Sequence, residues 1–193
     1  MSRAPRPSSA KGRGRTIPHP PGPLLRKRSR GRPPAPALGQ PIRFRRVTAA
    51  DVTRVLRLVQ EYYAFDKLPY RAAHTRAALH TLLRHPQRGG AWLILYGAKV
   101  AGYLVLTPCF SLEFHGEVFL DELYLRAAFR GQGLGQVALA FAAQWARRHG
   151  VTAIHVISEA HNPAARRAYR KAGFGGAHRF LMTRLINPPE HLR

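Results

Sequence analysis

Apolar and polar positions follow two periods along this chain. Ile42-Arg43-Phe44-Arg45-Arg46-Val47 alternates every second residue, the pattern of a strand with one buried face. Thr48 then stands as a cap before a segment beginning near Ala49, in which Val52, Val55, Leu56, Val59 and Tyr63 recur at helical spacing. A second helix is predicted from Ala72 to Leu83, ended by His85-Pro86. Ala91 to Tyr96 and Val100 to Thr107 read as strands joined in a hairpin about Gly97-Ala98-Lys99. Val118 to Leu125 is a fourth strand, Leu134 to His149 a long helix closed by Gly150, and Val151 to Ser158 a fifth strand. Pro163 to Lys171 is a helix capped by Asn162, and Phe180 to Leu185 a last strand. The order β-α-α-β-β-β-α-β-α-β predicts an α/β (α+β) domain, a mixed sheet with helices on both faces.

Composition divides the chain before the first strand. Residues 1–40 hold ten Lys or Arg, no Asp or Glu and few large apolar side chains. Such a segment cannot offset its conformational entropy, so a disordered basic tail is expected there, followed by one domain over 41–187 and a short extension over 188–193. The basic blocks Lys11 to Arg15 and Arg26 to Arg32 are candidates for weak nucleic-acid contact by counterion release, although no aromatics stand among them to stack on bases. The rest of the chain is basic too: 22 Lys and Arg against 9 acids leave it at +13 of the total +23, a field that draws in polyanions. A single cysteine, Cys109, excludes an intrachain disulfide and is expected to pack inertly. No Cys/His spacing resembles a zinc site, and no apolar run is long enough to cross a membrane; a cytoplasmic protein is expected.

The strongest candidate chemistry lies at Arg130-Gly131-Gln132-Gly133-Leu134-Gly135, between the fourth strand and the long helix. A strand that turns through glycines into a helix aims backbone N–H groups outward at the positive end of the helix dipole, a cradle for pyrophosphate. The Lys-Ser/Thr pair of a P-loop is missing, with Gln136 in that region. The glycines fall in a GxGxG register, and no acid follows at the spacing of a dinucleotide fingerprint. What remains is Arg-x-x-Gly-x-Gly.

That motif resembles motif A of the GNAT superfamily of acyl-CoA N-acyltransferases. A second stretch agrees: Asn162, seven residues before Tyr169, and then Gly173-Phe174. The resemblance runs from about Ile42 to Leu185. It implies a mostly antiparallel sheet splayed between its fourth and fifth strands, with acetyl-CoA as cosubstrate, a monomer or homodimer, and transfer of the acetyl group to a primary amine of a small molecule or peptide by direct attack. It further implies that Arg130, Gly131, Gln132, Gly133, Leu134, Gly135 and Gln136 hold the pyrophosphate, that Leu123, Tyr124 and Leu125 offer the fourth strand to the pantetheine arm, and that Asn162 contacts the coenzyme. Tyr169 matches the family's usual general acid for the departing thiolate. A non-catalytic acyl-CoA-binding or nucleic-acid-associated protein on the same fold is the alternative.

Asp121 and Glu122 stand side by side on an otherwise apolar strand, where carboxylates are costly unless solvated or paired. They are the candidates for handling the acceptor amine. Alternation sends them to opposite faces unless a bulge turns both inward. Glu113 is a candidate for the same pocket, and His155 an alternative base.

Overall fold

The computed structural model describes residues 39–175 and 181–186; the basic tail through residue 38 and the extension 188–193 lie outside the described residues. Five strands form one sheet in chain order: β1 (Ile42–Arg46), β2 (Gly90–Tyr96), β3 (Lys99–Ser111), β4 (His115–Leu125) and β5 (Ala153–His155). Neighbours are antiparallel except β4 and β5, which run parallel. Helices α1 (Val52–Asp66) and α2 (Ala72–Arg84) join β1 to β2, α3 (Leu134–Arg148) joins β4 to β5, and α4 (Pro163–Lys171) follows.

Period-two alternation along the central strands divides the apolar side chains between two cores. Ala91, Leu93, Tyr103 and Val105 pack against Val55, Leu56, Leu58 and Val59 of α1 and Leu79 of α2. Trp92, Ile94, Leu104 and Leu106 point the other way, onto Leu134, Ala138, Leu139 and Ala142 of α3. Side chains as fully enclosed as Leu58, Leu93 and Leu134 each contribute roughly 1.5–3 kcal/mol by leaving water. Close pairing of β3 with β4 requires glycine at one point, since a Cβ on Gly102 would lie 1.9 Å from the Tyr124 carbonyl oxygen.

Three expectations are corrected. The eight-residue fifth strand is only Ala153–His155, because β5 pairs with β4 solely at Glu117, Val118 and Phe119 and then has no partner to sustain a ladder. β4 continues to Leu125 with a free edge, which is the splay between the two strands. Residues 181–185 are irregular and form no strand, with Leu181 and Met182 exposed; Phe180 lies outside the described residues. Cys109 is exposed because the β3–β4 hairpin runs past the helices that cover the sheet centre.

Between β1 and α1, the buried Asp51 accepts from Arg45 Nη1 and Nη2 at 2.8 and 2.7 Å, and from the N–H and hydroxyl of Thr48 at 3.1 and 2.9 Å. The Arg45 bond, with those from Thr48, holds its pKa well below the usual carboxylate range. A depressed folded-state pKa contributes stability above the ordinary value of about 4 and loses it as the pH falls through the folded value. Asp51→Asn is therefore expected to lower stability by about 1–2 kcal/mol at neutral pH, with the deficit narrowing below about pH 4. Urea unfolding of both proteins across that range checks this, and a pH-independent deficit would assign the loss to packing.

Candidate active site

Strand β4 presents two different surfaces because of one residue. Val105 pairs with Glu122 and Leu106 with Leu120, so Asp121 is an extra residue with no partner on β3, a β-bulge. Before the bulge, Val118 and Leu120 face α3; after it, Leu123 and Leu125 face α3 while Glu122 and Tyr124 turn toward α1. Asp121 and Glu122 both line a cavity of about 510 Å³ on that side. Its walls are Val55, Val59 and Tyr63 of α1, Thr75, Leu79 and Leu82 of α2, and Tyr103 and Val105 of β3.

Glu122 is held from both sides. Tyr63 donates to its Oε1 at 3.0 Å and Tyr103 to its Oε2 at 2.7 Å. Hydrogen bonds to a charged group contribute roughly 1.5–3 kcal/mol each, against a desolvation penalty of several kcal/mol for a buried ion. Burial wins: it raises the Glu122 pKa above the ordinary value while the two hydroxyls pull it down, and Asp121 adds to the rise. The Asp121 pKa is also pushed up by burial, although its side chain remains open to the cavity. Burial and the charge of Glu122 push both tyrosine pKa values upward, so Tyr63 and Tyr103 stay protonated donors.

The opposite surface is the free edge of β4. Arg126 gives its backbone N–H to the Ala101 carbonyl on β3, and alternation then turns the N–H groups of Leu123 and Leu125 away from β3 into the splay. Tyr124, between them, directs its backbone to β3 and its ring to Tyr62 and Tyr103 at centroid distances of 5.8 and 6.3 Å, so it contributes nothing to that edge.

The glycine loop closes one end of the splay. Gly131 and Gly133 have φ of 73° and 86°, left-handed values that favour glycine, and Gly133 stands as the cap residue of α3. Gln136 makes the first backbone bond of the helix, to Gly133, so the N–H groups of Gln132 through Gly135 stand ahead of the ladder. A Cβ on Gly131 would meet nothing within 4 Å, and one on Gly135 only Leu125 Cδ1 at 3.9 Å. The loop is thus open at Gly131 and nearly so at Gly135. The buried Leu134 anchors the loop to the core, and the Gln132 amide braces it through the Ala128 carbonyl at 2.8 Å. Arg130 does not reach over the loop: its Nε donates to the Leu125 carbonyl at 2.7 Å, and its guanidinium lies 4.0 Å from the Phe65 ring centroid.

Helix α4 forms the other side. Asn162 accepts from the Ala165 N–H at 3.0 Å as the helix cap, and Gln136 Nε2 donates to the Ala168 carbonyl at 2.9 Å, tying α4 to the first turn of α3. These contacts set the next residue, Tyr169, half-buried beside Phe174 at 5.6 Å. Its hydroxyl pKa is raised by burial and by the charge of Asp66.

Two expected residues lie elsewhere. Glu113 occupies the tip of the β3–β4 hairpin and is not among the residues lining the cavity. His155 Nε2 sits 2.6 Å from Glu117 Oε2 at the paired end of β4 and β5, with its ring between Phe114 and Phe119, so the carboxylate already engages it. Sequence reasoning missed Tyr63 and Tyr103 as the partners of Glu122. Nothing local in the sequence tied either to β4.

The likenesses of the chain agree with this geometry. Residues 53–174 match the family model of the acetyltransferase (GNAT) family. An integron cassette protein from the mobile metagenome of Cole Harbour Salt Marsh is 32% identical, with 77% of this chain and 93% of that one covered at a TM-score of 0.68. A probable acetyltransferase is 23% identical over 77% of this chain and 99% of its own, with a TM-score of 0.67. The aminoglycoside N-acetyltransferase AAC(6')-Iy in complex with CoA shares 14% identity over 77% and 97%, with a TM-score of 0.65. Comparison with curated proteins returns no match. With the family model spanning strands β2 to β5, the glycine loop and Tyr169, this chain belongs to the GNAT acetyltransferase family.

Proposed function

We propose that this protein transfers an acetyl group from acetyl-CoA to a primary amine by direct attack. The observation that carries this reading is the convergence on one strand of an open backbone edge at Leu123 and a carboxylate-lined cavity at Asp121 and Glu122. Acetyl-CoA fits the first as a pyrophosphate over the N–H groups of Gln132 to Gly135, with its pantetheine arm along Leu123 and Leu125 as an added strand. An amine fits the second.

The amine must be neutral to attack, so the carboxylates of Asp121 and Glu122 bind it and accept its proton, directly or through water. Its nitrogen then forms a bond to the thioester carbonyl carbon, and the Leu123 N–H donates to the oxygen on which negative charge develops. As the C–S bond breaks, the sulfur leaves with the electron pair and takes the proton of the Tyr169 hydroxyl, the new amide nitrogen gives its extra proton to solvent, and solvent returns a proton to the tyrosine. The raised pKa of Tyr169 keeps that proton in place until a thiolate demands it.

Three variants test the roles. Gly135→Glu places a carboxylate in the cradle at a position whose φ is ordinary and whose surroundings are open, so the fold should survive while acetyl-CoA affinity falls at least about 100-fold by calorimetry, a loss of about 2.7 kcal/mol. Unchanged affinity would remove the loop from the site. Tyr169→Phe should lower kcat by on the order of 10²-fold with acetyl-CoA binding intact, because only the proton donor is lost. A matching loss of coenzyme affinity would make it a packing residue. Tyr103→Phe removes a donor that favours ionised Glu122, so the Glu122 pKa rises and the acidic limb of the kcat/KM profile should move to higher pH. An unmoved limb would exclude Glu122 as the group that titrates there.

A further inference from the structure

The cavity over β4 holds both signs of charge. Asp121 and Glu122 stand on its sheet wall, while Arg71, the residue that precedes α2, lines its helix wall with His74 one turn on. Arg71 is the one Lys or Arg among the described lining residues. Two carboxylates elsewhere each take an arginine: Asp51 pairs with Arg45 at 2.7 Å and Glu61 with Arg126 at 2.8 Å. In the cavity the opposite charges stay apart. Among the described residues the Arg71 guanidinium makes no hydrogen bond or ion pair, and the Asp121 carboxylate makes none either.

Width and lining account for the separation. The cavity encloses about 510 Å³, bounded largely by Val55, Val59, Leu68, Leu79, Leu82 and Val105. Leu79, buried in the same core as Leu93, fixes the helix wall against the sheet, so the two walls do not close on each other. A space of this size and polarity suits a small organic molecule rather than an ion. Each charge is thereby left for a ligand. Burial raises the Asp121 pKa, so a cation beside that carboxylate relieves a cost of desolvation. The guanidinium presents a planar fork of donors that matches the oxygens of an anionic group. A molecule positive at one end, negative at the other and apolar between meets all three surfaces. A plain alkylamine meets two of them and sets its hydrocarbon end against Arg71, which then loses hydration without gaining a partner.

We propose that Arg71 is a specificity-determining residue that binds an anionic group at the end of the acceptor opposite the amine, so that the preferred acceptor carries its two charges at separate ends of an apolar span. That the ligand is an amine rests on the acetyltransferase reading above; Arg71 decides which amine is chosen. An α-amino acid holds both charges at one end and serves only one wall of the cavity.

Three acceptors of equal carbon number test this: 6-aminohexanoate, its isomer norleucine and n-hexylamine, each with the wild type, Arg71→Gln and Arg71→Lys. The wild type should give its highest kcat/KM with 6-aminohexanoate. Arg71→Gln should raise KM for that acceptor by about tenfold with kcat nearly unchanged, and leave hexylamine, acetyl-CoA affinity and Tm as they were, because Arg71 has no partner in the fold to lose. Arg71→Lys should recover part of the loss, since the charge returns without the fork. A parallel change for all three amines, or a change for none, would overturn the proposal, as would a wild type that prefers norleucine or hexylamine. If the wild type acetylates no amine, the acetyltransferase reading fails on its own. Calorimetry on the CoA-bound chain still decides the role of Arg71: tighter binding of 6-aminohexanoate than of hexylamine, lost in Arg71→Gln, supports it, and equal affinities or binding of neither refute it.

Discussion

The unpaired residue at Asp121 is the constraint on which the rest of this site depends. In a regular strand, the side chains after Leu120 would keep their alternation, with Glu122 falling among the α3 side chains and Leu123 toward α1. One extra residue reverses that assignment for the remainder of β4. The carboxylates come to lie with Tyr63 and Tyr103, and the apolar Leu123 and Leu125 cover α3 while their backbone looks into the splay. One strand thereby presents an open backbone edge and a cavity holding two carboxylates on separate surfaces. The local cost is a broken ladder, which the long β3–β4 hairpin, paired on both sides of the bulge, absorbs.

Electrostatics act here at two ranges. Charges farther apart than about 8 Å are largely screened at physiological salt, so the +23 of the chain governs approach and encounter rather than contact. That field suits a polyanionic coenzyme. Within the cavity the charges are mixed, since Asp121 and Glu122 share its lining with Arg71 and His74. Burial is the main cause of the raised pKa values of the two carboxylates, and the charge of Asp121 adds to the rise at Glu122.

How far the sequence revealed this depends on whether a feature is local. The glycine loop, the Asn162 cap and Tyr169 were legible because each is fixed by neighbours a few residues away, and the helices fell close to their expected bounds for the same reason. The bonds from Tyr63 and Tyr103 to Glu122 span 59 and 19 residues, and they exist only through strand register, which a one-residue bulge resets. Helical spacing marked Val52 through Tyr63 but carried no sign that Asp66, one turn later, would be buried. The fifth strand was overextended because Val151 to Ser158 has strand-like composition throughout; what shortens it is the divergence of its partner, which composition does not record.

The carboxylates around β4 differ in how they are held, and that difference orders their structural roles. Glu61 is neutralised by a bidentate Arg126, with Nε and Nη2 at 2.9 and 2.8 Å, and acts as a tie between α1 and the end of β4. Glu122 has one hydroxyl on each oxygen and keeps the remaining lone pairs for a ligand or water, so it is rigid and preorganised. Asp121 is placed in the same cavity by the bulge, so the two carboxylates share one desolvated space through strand register alone.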